Sequence, residues 1–296
     1  MKHIIFLAAV AAPALLALTT SCSVKEDRTD CSLTAPVTVH VGDFAVSMDD
    51  FPTKAVPAAD YSGVKSLTLA FYNGATEAYK ATQKKGALEE GETFGEFSLS
   101  LLMGSYTMVV IGHGLNDGEP AITLTSPTSA TFGANPARET FVYTRTVDIT
   151  STEAVDISAT LSRIVSKLQV ASTDKRTANA HSVRMSFAGG GKSFNPSTGL
   201  STVNTGFSNA VEISAEAGST SLSNSYLFLD TDEQTMDVTI ETLDEDGNVL
   251  SSKTVENVPF KRNRVTKLTG TLYTNSGISG SILIDTEWLT NYSTTF

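Results

Sequence analysis

The sequence predicts an all-β protein built from two tandem β-sandwich domains. Nearly every segment with a readable hydrophobic period alternates apolar and polar residues, which is the pattern of a strand that buries one face. Turn signals that contain glycine or asparagine separate these segments about every 8–12 residues, as in sandwiches and barrels. Serine, threonine and valine are abundant, and they suit half-buried strands.

A lipoprotein signal peptide is predicted over residues 1–21. A basic start precedes an apolar stretch over 4–18, which is too short to span a bilayer comfortably. Small residues then lead to Cys22, so that cleavage between Ser21 and Cys22 would leave an amino group and a thiol for acylation. Such acyl chains hold a protein to a membrane almost permanently. The alternative interpretation is an ordinary secretory signal that is cleaved nearby.

Residues 22–36 are predicted to form a lipidated tether. The charged triplet KED at 25–27 resembles the short signal that sends Bacteroidetes lipoproteins to the outer face of the outer membrane. The predicted location is therefore the outer membrane, with the protein exposed on the cell surface. No later apolar segment of the sequence has the length of a membrane span, so the lipid is the predicted attachment.

The composition argues against several classes of function. The chain carries 21 basic and 32 acidic residues, a formal net charge of −11, which disfavours binding to nucleic acid or to an anionic lipid surface. The two cysteines are Cys22 and Cys31, and with Cys22 acylated no intramolecular disulfide is possible. The sequence has no nucleophile elbow, phosphate loop or paired metal-ligand motif. We therefore expect no enzyme activity, no cofactor and no metal site.

The predicted N-terminal domain covers residues 37–157. Its first strand is expected over 37–48, with a change of register at Gly42 and Asp43, and a short helix is expected only around 75–84. The alternating apolar positions of the first strand are Val37, Val39, Val41, Phe44, Val46 and Met48. Alternating segments that predict further strands lie at 66–71, 97–101 and 106–110, and the domain is expected to end with strands near 141–149 and 155–157.

The predicted C-terminal domain covers residues 158–296. An apolar run over 161–170 opens it, which places the domain boundary near residue 158. Alternation at 183–187 and at 236–240 predicts two more strands. The Asp-Gly pair within the acidic turn that follows the second of these strands predicts a hairpin.

Three segments resemble the fimbrillin superfamily, the subunits of type V pili in Bacteroidia. Residues 257–270 (NVPFKRNRVTKLTG) are close to a hairpin of that family and are the most specific of the three. Residues 161–168 (LSRIVSKL) resemble the strand that opens its C-terminal domain. Residues 103–110 (MGSYTMVV) resemble a strand of its N-terminal domain.

The resemblance implies two transthyretin-like β-sandwiches in tandem and assembly by strand exchange. Subunits of this family are exported as lipoproteins, and a protease removes the N-terminal tether together with the first strand. The vacated groove then accepts a strand of the next subunit, whose main chain pairs with the open edges. The implied partners are other copies of the chain or other pilus subunits, with the lipid anchor in the outer membrane before processing.

The strand over 37–48 is the candidate displaced strand under this mechanism. A release site between Lys54 and Ala55 follows it, in a proline-containing linker that should be accessible. Members of the family commonly carry arginine where Lys54 stands, and the alternative is that this segment is only a linker.

The candidate donor strand is the C-terminal segment 281–288. Ile282 and Ile284 could fill alternate pockets of a groove, and Trp288 could act as a buried anchor. The same segment could equally complete its own domain.

The predicted function is that of a structural subunit of an adhesive surface pilus, with a host protein or glycan as candidate receptor. Residues 25–31 (KEDRTDC) resemble the opening of fimbrial anchor subunits, so a permanently lipidated anchor that retains Cys31 is one alternative. A monomeric surface lipoprotein that binds glycans is another. The basic residues Lys261, Arg262 and Arg264 are expected either in an adhesive patch or at a solvated hairpin tip.

Overall fold

All regular secondary structure in the described part of the chain is β-strand, which confirms the predicted fold class. The computed structural model describes residues 33–45, 55–58, 60–116 and 118–274. The strands of the first half are β1 (Thr34–Ala45), β2 (Ala55–Pro57), β3 (Ser66–Asn73), β4 (Thr76–Lys84), β5 (Glu96–Leu102), β6 (Gly104–His113), β7 (Thr123–Ser126), β8 (Ser129–Thr131), β9 (Thr140–Ile149) and β10 (Val155–Arg163). Those of the second half are β11 (Ser166–Ser172), β12 (Ser182–Phe187), β13 (Ser193–Asn195), β14 (Leu200–Ser201), β15 (Phe207–Glu212), β16 (Leu222–Leu227), β17 (Glu233–Leu243), β18 (Val249–Lys261) and β19 (Val265–Gly270).

The strands of the first half, apart from β7 and β8, form one eight-stranded sheet. Its order is β2-β1-β10-β9-β6-β3-β4, and β5 pairs with β1. Apolar side chains from β1, β3, β5, β6, β9 and β10 meet in a single hydrophobic core. The alternation seen in the sequence is therefore the alternation between this core and the outer face of the sheet.

The short helix predicted over 75–84 is wrong, because this segment is strand β4. A tight turn at Gly74, whose φ is +61°, leads from β3 into β4, and β4 pairs antiparallel with β3. β4 is an edge strand with mostly exposed or half-exposed side chains. Pairing with β3 therefore decides its conformation, against the helical preference of its own residues.

The second half forms a β-sandwich of two sheets. One has the order β16-β11-β19 and the other the order β15-β12-β17-β18, and their inner faces share a second hydrophobic core. β17 and β18 form a long hairpin around the acidic turn, as the sequence predicted from its Asp-Gly pair. β18 is an edge strand, which explains how it tolerates Pro259.

A fourth sheet and a third core join the two halves. The sheet has the order β14-β13-β8-β7, so that two of its strands come from each half. The core beneath it combines residues of the first half with Phe194 and Phe228 of the second. The ring centroids of Phe194 and Phe228 are 4.4 Å apart, and Phe132 of the first half lies 6.2 Å from Phe228.

The domain boundary predicted near residue 158 lies inside β10. The whole of β10 pairs within the first sheet, with β1 along its length and with β9 at its end. The chain passes to the second sandwich between Arg163 and Ser166, where β11 begins. The apolar run over 161–170 is thus shared between the two halves.

Within the described ranges, no helix has the length and apolarity of a membrane span.

Candidate strand-exchange groove

Strand β1 lies in the interior of its sheet and is paired on both edges. It runs parallel to β10 from Val37 to Ala45 on one edge. On the other edge it pairs antiparallel first with β5 and then with β2. The ladder with β10 skips Gly42, so that Val41 and Asp43 lie opposite successive residues of β10. This bulge is the register change that the sequence predicts.

The inward side chains of β1 are fully buried in the first core. Val37, Val39, Val41 and Phe44 are each at most 4 % exposed. Burying a side chain of this size stabilises a fold by about 1.5–3 kcal/mol. Loss of β1 would therefore uncover a large apolar groove and leave the backbone groups of β5 and β10 unpaired, unless another strand takes its place.

A pocket for one aromatic ring closes the far end of this groove. The ring of Phe44 lies 5.0 Å from that of Phe141 and 5.7 Å from that of Tyr61, measured between centroids. Gly112 forms part of the wall, and a Cβ there would lie 3.0 Å from the Phe44 ring and 3.1 Å from Leu67. The absence of a side chain at residue 112 thus makes room for the aromatic ring.

A polar cluster lies behind the aromatic pocket. The Tyr61 hydroxyl donates to Glu139 Oε1 at 2.6 Å, and Arg163 Nη2 donates to the Tyr61 oxygen at 3.0 Å. Arg163 Nη2 also lies 2.7 Å from Glu139 Oε1, and its guanidinium stacks 4.9 Å from the centre of the Phe141 ring. Burial, assisted by the Glu139 carboxylate, raises the pKa of Tyr61 above its usual value. The phenol therefore stays protonated and keeps donating its hydrogen bond.

The same cluster reaches the second half of the chain through Asn263. Arg163 Nη1 donates to Asn263 Oδ1 at 3.1 Å. Asn263 occupies the turn between β18 and β19 with a φ of +59°, and its N–H donates to the Val165 carbonyl at 2.8 Å. The turn is thereby attached to the first sheet beside the aromatic pocket.

The turn between β18 and β19 is basic, and two of its side chains form ion pairs within the chain. Lys261 Nζ lies 2.7 Å from Glu233, and Arg262 Nη2 lies 2.7 Å from Asp232. Arg262 Nη1 also donates to the Thr198 carbonyl at 2.8 Å. Asp232, directly before β17, and Glu233, its first residue, are therefore the acidic partners of this turn.

Asp174 binds the backbone of the last described residues, 272–274. Its carboxylate accepts backbone hydrogen bonds from Leu272, Tyr273 and Thr274 at 2.7, 2.8 and 3.0 Å. Partial burial by itself raises the pKa of Asp174, but these hydrogen bonds outweigh it and leave the pKa below its ordinary value. The Tyr273 hydroxyl is also hydrogen-bonded to Ser221. The candidate donor segment thus follows a firmly attached stretch of chain.

The structure describes part of the predicted site. Val37, Val39, Val41 and Phe44 lie in β1, with their side chains inward as expected, and Ala55 begins β2. The other predicted residues lie outside the described part of the chain, namely Ser21, Cys22, Val46, Met48, Lys54, Ile282, Ile284 and Trp288. Among the described residues, no group of three or more histidine, cysteine, aspartate or glutamate side chains could hold a metal ion.

The sequence analysis missed Tyr61, Gly112, Glu139 and Arg163. A signal for Arg163 is present, since the buried alternation of β10 places it in phase with Leu161. A buried arginine requires an acceptor. The identity of that acceptor has no sequence signal, because Glu139 and Tyr61 come from distant segments.

The comparisons with known proteins place the chain in a family. The model of a family of unknown function, DUF6562, matches residues 43–295. The chain belongs to this family. No curated protein matches the sequence.

Solved structures that are similar to this chain have low sequence identity to it. A putative adhesin from Bacteroides ovatus has a TM-score of 0.50 at 12 % identity, over 88 % of this chain and 97 % of that one. The fimbrial anchor protein Mfa2 from Porphyromonas gingivalis has a TM-score of 0.45 at 13 % identity, over 80 % of this chain and 90 % of that one. The likeness to the Bacteroides ovatus protein shows a shared fold.

Proposed function

We propose that this chain is a structural subunit of an adhesive cell-surface pilus, exported as a lipoprotein and assembled by β-strand exchange. The observation that carries the proposal is the position of β1, an interior strand that buries its inward side chains and shortly precedes the candidate processing site. The description of the similar Bacteroides ovatus structure as a putative adhesin is in keeping with it. The proposal assigns the protein no enzyme activity, cofactor or metal.

Cleavage after Lys54 would release the lipidated tether and β1 in one step. The subunit would then begin at Ala55, and the edges of β5 and β10 would be open to a strand from a neighbouring subunit. The partners are therefore other copies of the chain or other pilus subunits. Before cleavage the acylated Cys22 would hold the subunit at the outer membrane.

The variant Lys54→Ala tests this processing step. We expect it to accumulate as full-length lipoprotein on the cell surface without forming polymer, and we expect Lys54→Arg to be processed. Lys65→Ala, at an exposed basic residue downstream, is the matched control and should polymerise like the wild type. Intact mass and ladder formation on mildly heated gels measure both results. Undiminished polymer from Lys54→Ala would contradict the proposal.

The N-terminal residue of the protein recovered from the surface of its native cells distinguishes a stalk subunit from an anchor subunit. A species that begins at Ala55 supports a polymerising stalk or tip subunit. A species that retains acylated Cys22 supports a permanent anchor, in which β1 stays in place.

A second candidate function, glycan binding by a monomer, is favoured by one cavity. This cavity of about 510 Å³ lies between the loop at Arg138 and the strands β15 and β16. Its lining includes the side chains of Asn116, Asn209, Asn224 and Tyr226. Amide and hydroxyl groups beside an aromatic ring suit a neutral sugar. A monomer that is retarded by neutral polysaccharides in affinity electrophoresis, with no laddering, would favour this alternative.

A further inference from the structure

We propose that the C-terminal segment of a second copy fills the groove of β1 in the same direction as β1 and places Trp288 in the pocket of Phe44. This inference rests on the proposed strand exchange and specifies its register. It assigns one incoming side chain to each of four inward positions of the groove.

Four inward positions of the groove are evenly spaced along β10, and a fifth, at Ala35, lies beyond the end of that ladder. Val37, Val39 and Val41 lie opposite Val155, Ile157 and Ala159, and Phe44 lies opposite Leu161. Because the bulge leaves Gly42 out of the ladder, successive inward residues of β1 lie opposite every second residue of β10. A regular strand without a bulge would therefore fill the same positions with residues i, i+2, i+4 and i+6.

The C-terminal segment carries the same order of side chains at that spacing. Ile282, Ile284 and Thr286 are β-branched, as are the three valines of β1, and Trp288 follows as the aromatic residue. In the opposite direction the indole would meet the position of Val37, which is opposite Leu99 on β5 and far from the aromatic pocket. The order of side chains therefore selects the direction parallel to β10.

The aromatic pocket has the chemistry that an indole needs. Phe141 and Tyr61 offer ring faces, and Gly112 leaves the wall open. The Tyr61 and Glu139 oxygens at the edge of the pocket could accept a hydrogen bond from the indole N–H, which a buried tryptophan requires. Among the described strands, β2 pairs only with β1, so the proposed cleavage removes its pairing partner.

A photo-crosslinker at position 288 tests the register in the assembled polymer. The full-length chain is expressed in its native cells with p-benzoylphenylalanine at residue 288, irradiated as polymer and digested for mass spectrometry. We expect intermolecular crosslinks to the peptides that contain Tyr61, Phe141 or Leu161. The same crosslinker at residue 283, which the register directs outward, is the matched control and should not label those peptides.

Two substitutions give an independent measurement. Trp288→Phe should form polymer close to the wild-type amount, whereas Trp288→Ala should lower the polymer yield at least about tenfold because it leaves an aromatic anchor pocket empty. Equal melting temperatures of the purified precursors would show that the variants fold. Crosslinks confined to one chain or to other peptides, or full polymer from Trp288→Ala, would overturn the register and leave strand exchange standing. Failure of the wild-type chain to polymerise would overturn both proposals.

Discussion

At the scale of single residues, two charged side chains hold distant segments of the chain together through hydrogen bonds. Arg163 joins the first sheet to the turn at Asn263, and Asp174 holds the backbone at residues 272–274. Each charged group makes several hydrogen bonds, because an ion without partners is costly away from water. Both charged residues therefore have a structural role.

Replacement of Asp174 by asparagine should make the free energy of unfolding less sensitive to low pH. The folded pKa of Asp174 is lower than its unfolded pKa, so its contribution is present above the unfolded pKa and is lost as the pH falls through the folded pKa. We expect Asp174→Asn to lower the free energy of unfolding by about 1 kcal/mol at pH 7, since hydrogen bonds to a partly exposed charge are weak. The difference from the wild type should vanish in acid.

Urea denaturation of the full-length precursor at several pH values measures this difference. Asp156→Asn, at an exposed carboxylate of β10, is the control and should leave the difference near zero throughout. A loss of stability in Asp174→Asn that stays constant down to the lowest pH would contradict the role of the charge.

At the scale of elements, β1 stabilises only the form of the protein that contains it. Val39 is fully buried, and Val39→Ala should lower the free energy of unfolding of the precursor by about 2–3 kcal/mol through lost burial and a new cavity. Under the proposed cleavage after Lys54, the processed polymer would lack β1 and should be unaffected. Thr38→Ala, on the outer face of the same strand, should have little effect on either form.

Denaturant unfolding of the precursor and heat dissociation of the polymer measure the two effects of Val39→Ala. A polymer that is weakened as much as the precursor would mean that β1 remains in the assembled subunit.

The sequence predicted β1 well and β4 badly, for a physical reason. β1 is buried on one face, so its valines alternate strictly, and a glycine marks its bulge. β4 is an edge strand whose one buried side chain is the polar Gln83, and its apolar–polar alternation is confined to residues 79–82. Where a strand forms mainly through its neighbour, the local sequence lacks the signal. The pocket around Phe44 likewise depends on Tyr61, Gly112 and Phe141, which only the folded chain brings together.

At the scale of the whole molecule, the third core makes the two halves interdependent. Phe228 is fully buried between Phe194 and Phe132, which belong to different halves. The sequence suggested two domains but gave no indication of this contact, because rings that meet across halves follow no period.

Loss of the Phe228 ring should therefore destabilise both halves. We expect Phe228→Ala to cost about 3–5 kcal/mol and to speed amide exchange in β6 of the first half as well as in β12 of the second. Val238→Ala, within the core of the second sandwich, is the control and should speed exchange in β12 alone. Hydrogen exchange read by mass spectrometry checks this, and unchanged protection of β6 in Phe228→Ala would contradict the coupling.

The pairing of β1 on both edges has a mechanical consequence for any strand that replaces it. Tension along a fibre would pull such a strand lengthwise between β5 and β10, so its ladder bonds would resist in shear and would have to break together. The same bonds at a sheet edge, pulled sideways, would open one at a time. An interior groove thus suits a joint that must carry load without covalent bonds between subunits.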